Sequence, residues 1–186
     1  MALNAARDIV AQDGLRGLST RRIAREIGYA PGTLYQLFDD LDDLIAQMNA
    51  DTLEALLEAC KGVDNKAGPE AALQQLAARY VRFAGEHPKL WNAVFEHTLP
   101  DGKTLHERHI SAVTRLLGLA ETALEPLFSP GMENGLLHES RVLWASLHGI
   151  TSLAVSGKLA QAETPEDMAR SLATNYIAGL RAQCAT

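Results

Sequence analysis

The chain has 186 residues, enough for one or two small domains with their own cores. A hydrophobic share of 47% and a charged share of 22% are ordinary for a soluble globular protein. With a net charge of −6, any nucleic-acid contact must rest on local basic residues rather than on overall attraction.

No run of about eighteen apolar residues exists, and the first residues lack a signal-peptide h-region. A cytoplasmic protein with no membrane partner is therefore expected. Cys60 and Cys184 are too few and too far apart for a disulfide or zinc framework, which fits a reducing compartment. Sustained period-two alternation is missing and Ala and Leu abound, so the fold class is all-α.

The first predicted helix spans residues 2–13, with Leu3, Ala6, Ile9 and Val10 apolar and Asp13-Gly14 closing it. The stretch Ser19 to Phe38 follows. Ser19 suits the cap of a short helix whose apolar face is Ile23, Ala24 and Ile27. Gly28 suits a left-handed terminus, and Pro31 the first position of a second short helix carrying Leu34, Leu37 and Phe38 inward. Two short helices about a glycine turn make a helix-turn-helix.

Four aspartates around Leu41 (Asp39, Asp40, Asp42, Asp43) open a fourth helix, where acids interact well with the helix dipole; it ends near Lys61-Gly62. After a polar linker over 63–68, Pro69-Glu70 opens a helix to about Gly85, and His87-Pro88 breaks it. A short helix over Leu90 to His97 follows. Thr104 and Glu107 read as a capping box opening a long helix to about Leu127. Pro126, Pro130, Gly131 and Gly135 mark a loop, residues 138–158 a long apolar helix, and Thr164 to Asp167 the cap of the last one. About nine helices are expected in all.

Residues 3–46 resemble the N-terminal domain of tetracycline-repressor (TetR) family transcriptional regulators. The resemblance rests on Ala11-Gln12-Asp13-Gly14, Ser19, Ile23-Ala24, Gly28, Gly32-Thr33-Leu34-Tyr35, Phe38 and Leu44. Trp144, His148 and Gly149 resemble the Trp-His-Gly signature of one C-terminal domain class in that family. The resemblance implies a DNA-binding domain over 1–47, in which the first helix braces the other two. It implies a helical effector-binding and dimerisation domain over 48–186. It also implies that Thr33 and Gln36, with Pro31 and Gly32 beside them, meet base edges or adjacent phosphate. Tyr35 then contacts phosphate, as do Ser19, Thr20 and Arg22 at the start of the preceding helix. Gln can bond adenine bidentately, a physical reason for Gln36 to discriminate.

Residues 1–38 carry five arginines against three acids, a balance of only +2. Leu37 and Leu41 stand where the family pattern has polar or basic residues, and no basic arm precedes the first helix in this sequence. Weak, salt-limited DNA binding is the expectation.

For an effector pocket the candidates are Tyr80, the i,i+4 pair Trp91 and Phe95, and the i,i+4 pair Trp144 and His148. His97, His106 and His109 lack a convincing further ligand, so no metal and no cofactor is expected. No nucleophile elbow, P-loop or dinucleotide fingerprint is present, which argues against an enzyme. For self-association, the last two helices offer Leu143, Leu147, Ile150 and Ala154 on one face, and Met168, Leu172, Tyr176 and Leu180 on the other. The chain reads as a homodimeric repressor, released from a palindromic double-stranded DNA operator by a small organic effector. The alternative is a ligand-binding or scaffold dimer with a weakened DNA-binding head.

Overall fold

The computed structural model describes residues 1–102, 104–159 and 163–184, the last by its backbone only. Nine α-helices and no strand are found among the described residues, as the all-α reading requires. They are α1 (Ala2–Asp13), α2 (Thr20–Ile27), α3 (Pro31–Leu34), α4 (Leu41–Cys60), α5 (Pro69–Glu86), α6 (Pro88–Glu96), α7 (Glu107–Leu124), α8 (Glu133–Val155) and α9 (Pro165–Cys184). None is long and apolar enough to cross a membrane. The chain divides into two compact units: residues 1–55 with 87–113, and residues 56–86 with 114–186.

The first unit is built on short apolar side chains. Ala6, Ile9 and Val10 of α1 meet Ile23 and Ala24 of α2, Leu34 of α3 and Leu44 and Met48 of α4, all buried. Full burial of an Ile or Leu stabilises by about 1.5–3 kcal/mol, so a few such residues hold three short helices that are marginal alone. Leu90 and Ala93 bring α6 into the same core. Polar bonds fix its position: the Asn49 amide donates to Ala93 O at 3.0 Å, and the Lys89 ammonium donates to Gln12 O.

In the second unit α5, α8 and α9 surround Leu73, Leu124, Leu143, Ile177 and Leu180. A polar chain crosses its rim, from Gln74 Nε2 to Thr174 Oγ1 (2.9 Å) and from Thr174 Oγ1 to Glu70 Oε1 (3.0 Å). The Tyr176 hydroxyl donates to the Glu139 carboxylate and to Glu139 O, tying α9 to α8.

Two boundaries depart from expectation. The Thr104–Glu107 capping box does not form, because α7 starts at Glu107 and His106 takes the cap. Its Nδ1 accepts from Arg108 N at 3.2 Å, and its carbonyl accepts from His109 N and Ile110 N. Helix α8 begins at Glu133, so Gly135 lies inside it rather than in the loop. The last helix opens as its sequence implies, with Thr164 Oγ1 accepting from Asp167 N at 3.1 Å. The Cys184 side chain lies outside the described residues.

Candidate functional site

The helix-turn-helix forms by the local chemistry that its residues dictate. Ser19 Oγ accepts from Arg22 N at 3.2 Å, capping α2. Gly28 ends that helix with φ 75° and ψ 27°, a left-handed conformation that penalises a Cβ. Ala30 is extended, and Pro31 opens α3 at its first position. Leu34 is 2% exposed and anchors the second helix, which is a single turn continued by Phe38 N donating to Leu34 O at 3.0 Å.

With Leu34 inward, the rest of this turn faces out. Pro31, Gly32 and Gln36 are exposed, Thr33 is half-buried, and Tyr35 is 59% exposed. Ser19 is exposed and Thr20 half-buried at the start of α2. Leu37 was expected inward beside Phe38; it is 66% exposed, its N–H on Leu34 O and its side chain on the solvent side of the turn. Leu41 does the opposite and packs on the core of this unit.

Arg22 is held within the unit. Its guanidinium pairs with Asp13 at 2.5 Å and donates to Gly17 O at 3.2 Å, linking α2 to the end of α1. Gly17 makes this possible: a Cβ there would lie 2.6 Å from the Asp13 Cβ and 3.2 Å from Arg22 Nη1. Arg21 and Arg25 stand exposed on α2.

Three of the four aspartates have structural partners. Asp40 Oδ1 accepts from Asp43 N at 2.9 Å, and Asp43 Oδ2 accepts from Asp39 N at 3.2 Å, a reciprocal cap at the start of α4. Asp42 Oδ1 lies 3.0 Å from Nε2 of the buried His97. That pair spans 55 positions and no sequence signal announces it. Among the described residues no group of three or more His, Cys, Asp or Glu side chains is placed to hold a metal. His109 has its pKa lowered by burial and then by the nearby His97 charge.

The second unit contains an apolar cavity. It offers about 50 Å³ to the centre of a water-sized sphere, and its walls include Leu73, Leu76, Tyr80, Leu117, Trp144 and Leu172. Among the described residues no charged side chain lines it. Tyr80 Oη lies 3.3 Å from His148 Nδ1, and the Trp144 and His148 rings are 5.4 Å apart. Burial lowers the His148 pKa and raises that of the Cys60 thiol, which lines the cavity, to about 12.

Of the five residues expected at an effector pocket, Tyr80 and Trp144 line this cavity and His148 bonds to Tyr80. Trp91 and Phe95 belong to the first unit, with ring centroids 4.8 Å apart. Trp91 is buried there while Phe95 is 41% exposed, so the shared helix face does not make a shared pocket wall. The aliphatic wall carries no signal in the sequence, because leucines around a cavity look like leucines in a packed core.

The face expected to carry self-association is used largely within the chain. Leu143, Leu147 and Leu180 are buried within the second unit, and Leu143, Leu147 and Leu172 line its cavity. Ile150, Met168 and Tyr176 are half-buried. What faces outward is the opposite stripe: Val142, Ala145, Gly149 and Leu153 of α8, and Ser171, Asn175, Ala178 and Ala182 of α9.

Comparison with known proteins agrees with this architecture. Residues 2–48 match the family model "Bacterial regulatory proteins, tetR family", and residues 73–176 match "Tetracyclin repressor-like, C-terminal domain". The HTH-type transcriptional regulator YobS of Bacillus subtilis (strain 168) is 25% identical over 183 residues, covering 97% of this chain and 91% of that protein. A structure of a protein with unknown function from Rhodococcus sp. RHA1 superposes with a TM-score of 0.79 at 22% identity, covering 97% of this chain and 93% of that one. The transcriptional regulator FadR from Bacillus subtilis, in complex with stearoyl-CoA, gives 0.69 at 15% identity, covering 96% and 97%. The capped, glycine-turned head and the helical residues that follow it in sequence match models of one family over most of their length, and the chain belongs to the TetR family of bacterial transcriptional regulators.

Proposed function

We propose that the protein is a homodimeric repressor that reads a palindromic operator with Thr33 and Gln36 and lets go when a small organic molecule occupies the Leu/Trp-lined cavity. The observation that carries the DNA half is the outward turn Pro31–Gln36, held by buried Leu34 and framed by the Ser19 cap and Gly28. Tyr35, Ser19 and Thr20 supply neutral phosphate donors, and exposed Arg21 and Arg25 supply the cations. Arg22 acts as a positioning residue that fixes α2 on α1. The DNA-reading domain ends near residue 47, with the effector and dimer domain beyond it.

Two heads are needed, because one short turn reaches too few base pairs for useful specificity. The outward stripe of α8 and α9 suits the dimer: Gly149, Ala145, Ala178 and Ala182 allow close approach, while Val142 and Leu153 supply apolar area. The Trp-His-Gly assignment rests on Trp144, His148 and Gly149 alone. In this reading the tryptophan serves the cavity, the histidine its Tyr80 partner, and the glycine the dimer stripe. FadR was solved with stearoyl-CoA, whose hydrocarbon chain is apolar as the walls here are.

Fluorescence anisotropy on the promoter region beside the gene tests the proposal. Gln36→Ala should weaken binding to that fragment by about 30-fold or more, since each of the two half-sites loses one bidentate base contact, and leave random DNA unaffected. Equal loss on both DNAs would sink the base-reading role. A ligand-binding dimer with no DNA function is favoured only if the wild-type protein shows no preference for the fragment.

A further inference from the structure

The cavity constrains its occupant more closely than the functional reading does. From its walls and size we infer that it selects a small uncharged hydrophobic molecule of a few carbons, bearing at most one hydroxyl or carbonyl that Tyr80 Oη can meet. The inference rests on the cavity being the effector site.

Three observations converge. Among the described residues the lining is aliphatic or aromatic, with Cys60 Sγ, Tyr80 Oη and the Trp144 indole as its polar side-chain groups and no Lys, Arg, His, Asp or Glu. An ionised headgroup inside would leave water without a counter-charge, a heavy penalty at low dielectric. The free space is small, about 50 Å³ open to the centre of a water-sized sphere, which suits a short chain of a few carbons. The site also carries two internal test charges. Burial disfavours the Cys60 thiolate, an anion, and the His148 imidazolium, a cation. Burial at the wall and just beside it therefore opposes charge of either sign.

Tyr80 is the polar group best placed to orient a ligand, because its ring lines the cavity while His148 Nδ1, at 3.3 Å, holds its hydroxyl from the side. A ligand hydroxyl or carbonyl would share that bond, which costs neither partner an unpaired buried group.

The test is calorimetric titration of the full-length wild-type protein at pH 7.5, without DNA, using 1-butanol, 1-hexanol, hexanoate and hexylammonium as probes. Affinity should rise about four-fold per methylene from butanol to hexanol, the worth of burying each CH2. Hexanoate and hexylammonium should bind at least 100-fold more weakly than hexanol. Ala120→Phe, which fills the cavity from one wall, should abolish hexanol binding. A folded Ala120→Phe protein, judged by its melting curve, that binds hexanol like wild type would overturn the site. Charged probes binding as tightly as hexanol, or no probe binding at all, would overturn the ligand class. Hexanol that binds but leaves the operator complex intact would instead refute effector control and leave the ligand class standing.

Discussion

Arg22 separates two readings of the head that look alike in sequence. A cation at the start of a helix beside the recognition turn is an obvious phosphate contact, yet here its guanidinium is 2.5 Å from Asp13 and bonded to Gly17 O. If it pins α2 to α1 and does not touch DNA, the salt dependence of operator binding follows from Arg21 and Arg25 alone. Two cations per head and two heads neutralise about four phosphates, and log K should then fall against log salt with a slope of about −3.6. Were Arg22 also on phosphate, the slope would be about −5.4.

The variant Arg22→Gln reads the difference directly. It should leave the slope near its wild-type value while lowering stability by roughly 1–2 kcal/mol. That figure combines a partly exposed ion pair at the low end of its range with a charge-assisted bond to a carbonyl. The corresponding fall in Tm is about 2–8 °C for a chain of this size. A double-mutant cycle with Asp13→Ala should show a coupling of about 0.5–1 kcal/mol. A slope about 1.8 shallower in Arg22→Gln with an unchanged Tm would refute the pinning role and return Arg22 to the DNA.

Gly28 has open space where a Cβ would sit but a φ of 75°, so Gly28→Ala should cost about 1–2 kcal/mol by urea unfolding; Gly28→Asn should cost less, and equal losses would exclude the conformational explanation. The pKa of His148 is lowered from 6.5 by burial, so the unfolded chain binds more protons just below that pH. Stability should therefore be fully present above about pH 6.5 and be lost as the pH falls beneath it, and His148→Gln should flatten the thermal-melt profile between pH 7 and 5. His109, shifted the same way, accounts for the slope that remains. With Cys60 pushed up to about 12, native Cys184→Ser protein should resist iodoacetamide at pH 8 and react on unfolding in urea; fast native labelling would contradict the buried, protonated thiol.

What was legible in the sequence lies within one helical turn. Ser19, Gly28, Pro31 and Thr164 act on backbone groups a few positions away, so their roles follow from residue type and spacing alone. Thr104 marks the edge of that method. It and His106 can both offer an acceptor to the start of α7, and the path of the chain decides for His106. Leu143, Leu147 and Leu180 show the larger gap. A helical stripe proves that a face is covered but not by what, and α5, α8 and α9 cover these faces within one chain. The outward stripe is faint in the sequence because Gly149, Ala145 and Ala178 carry little hydrophobic signal.

The acidic run after the recognition turn is likewise intelligible only with its partners in view. As a bare charge count, four aspartates next to a phosphate-seeking surface look self-defeating. In place, Asp40 and Asp43 satisfy the orphan donors that open α4, and Asp42 faces His97. The start of a helix carries roughly half a positive charge, which offsets part of their field where it arises. The repulsion felt by DNA is therefore smaller than the formal count, yet removing the acids would expose the start of the helix that supports the reading turn. On this argument Asp40→Asn, which keeps an acceptor at the cap while deleting a charge, should tighten operator binding at low salt with little loss of stability, and Asp40→Ala should lose stability by about 0.5–2 kcal/mol in chemical unfolding. Equal stability in the two variants would show that the acids are not there to cap.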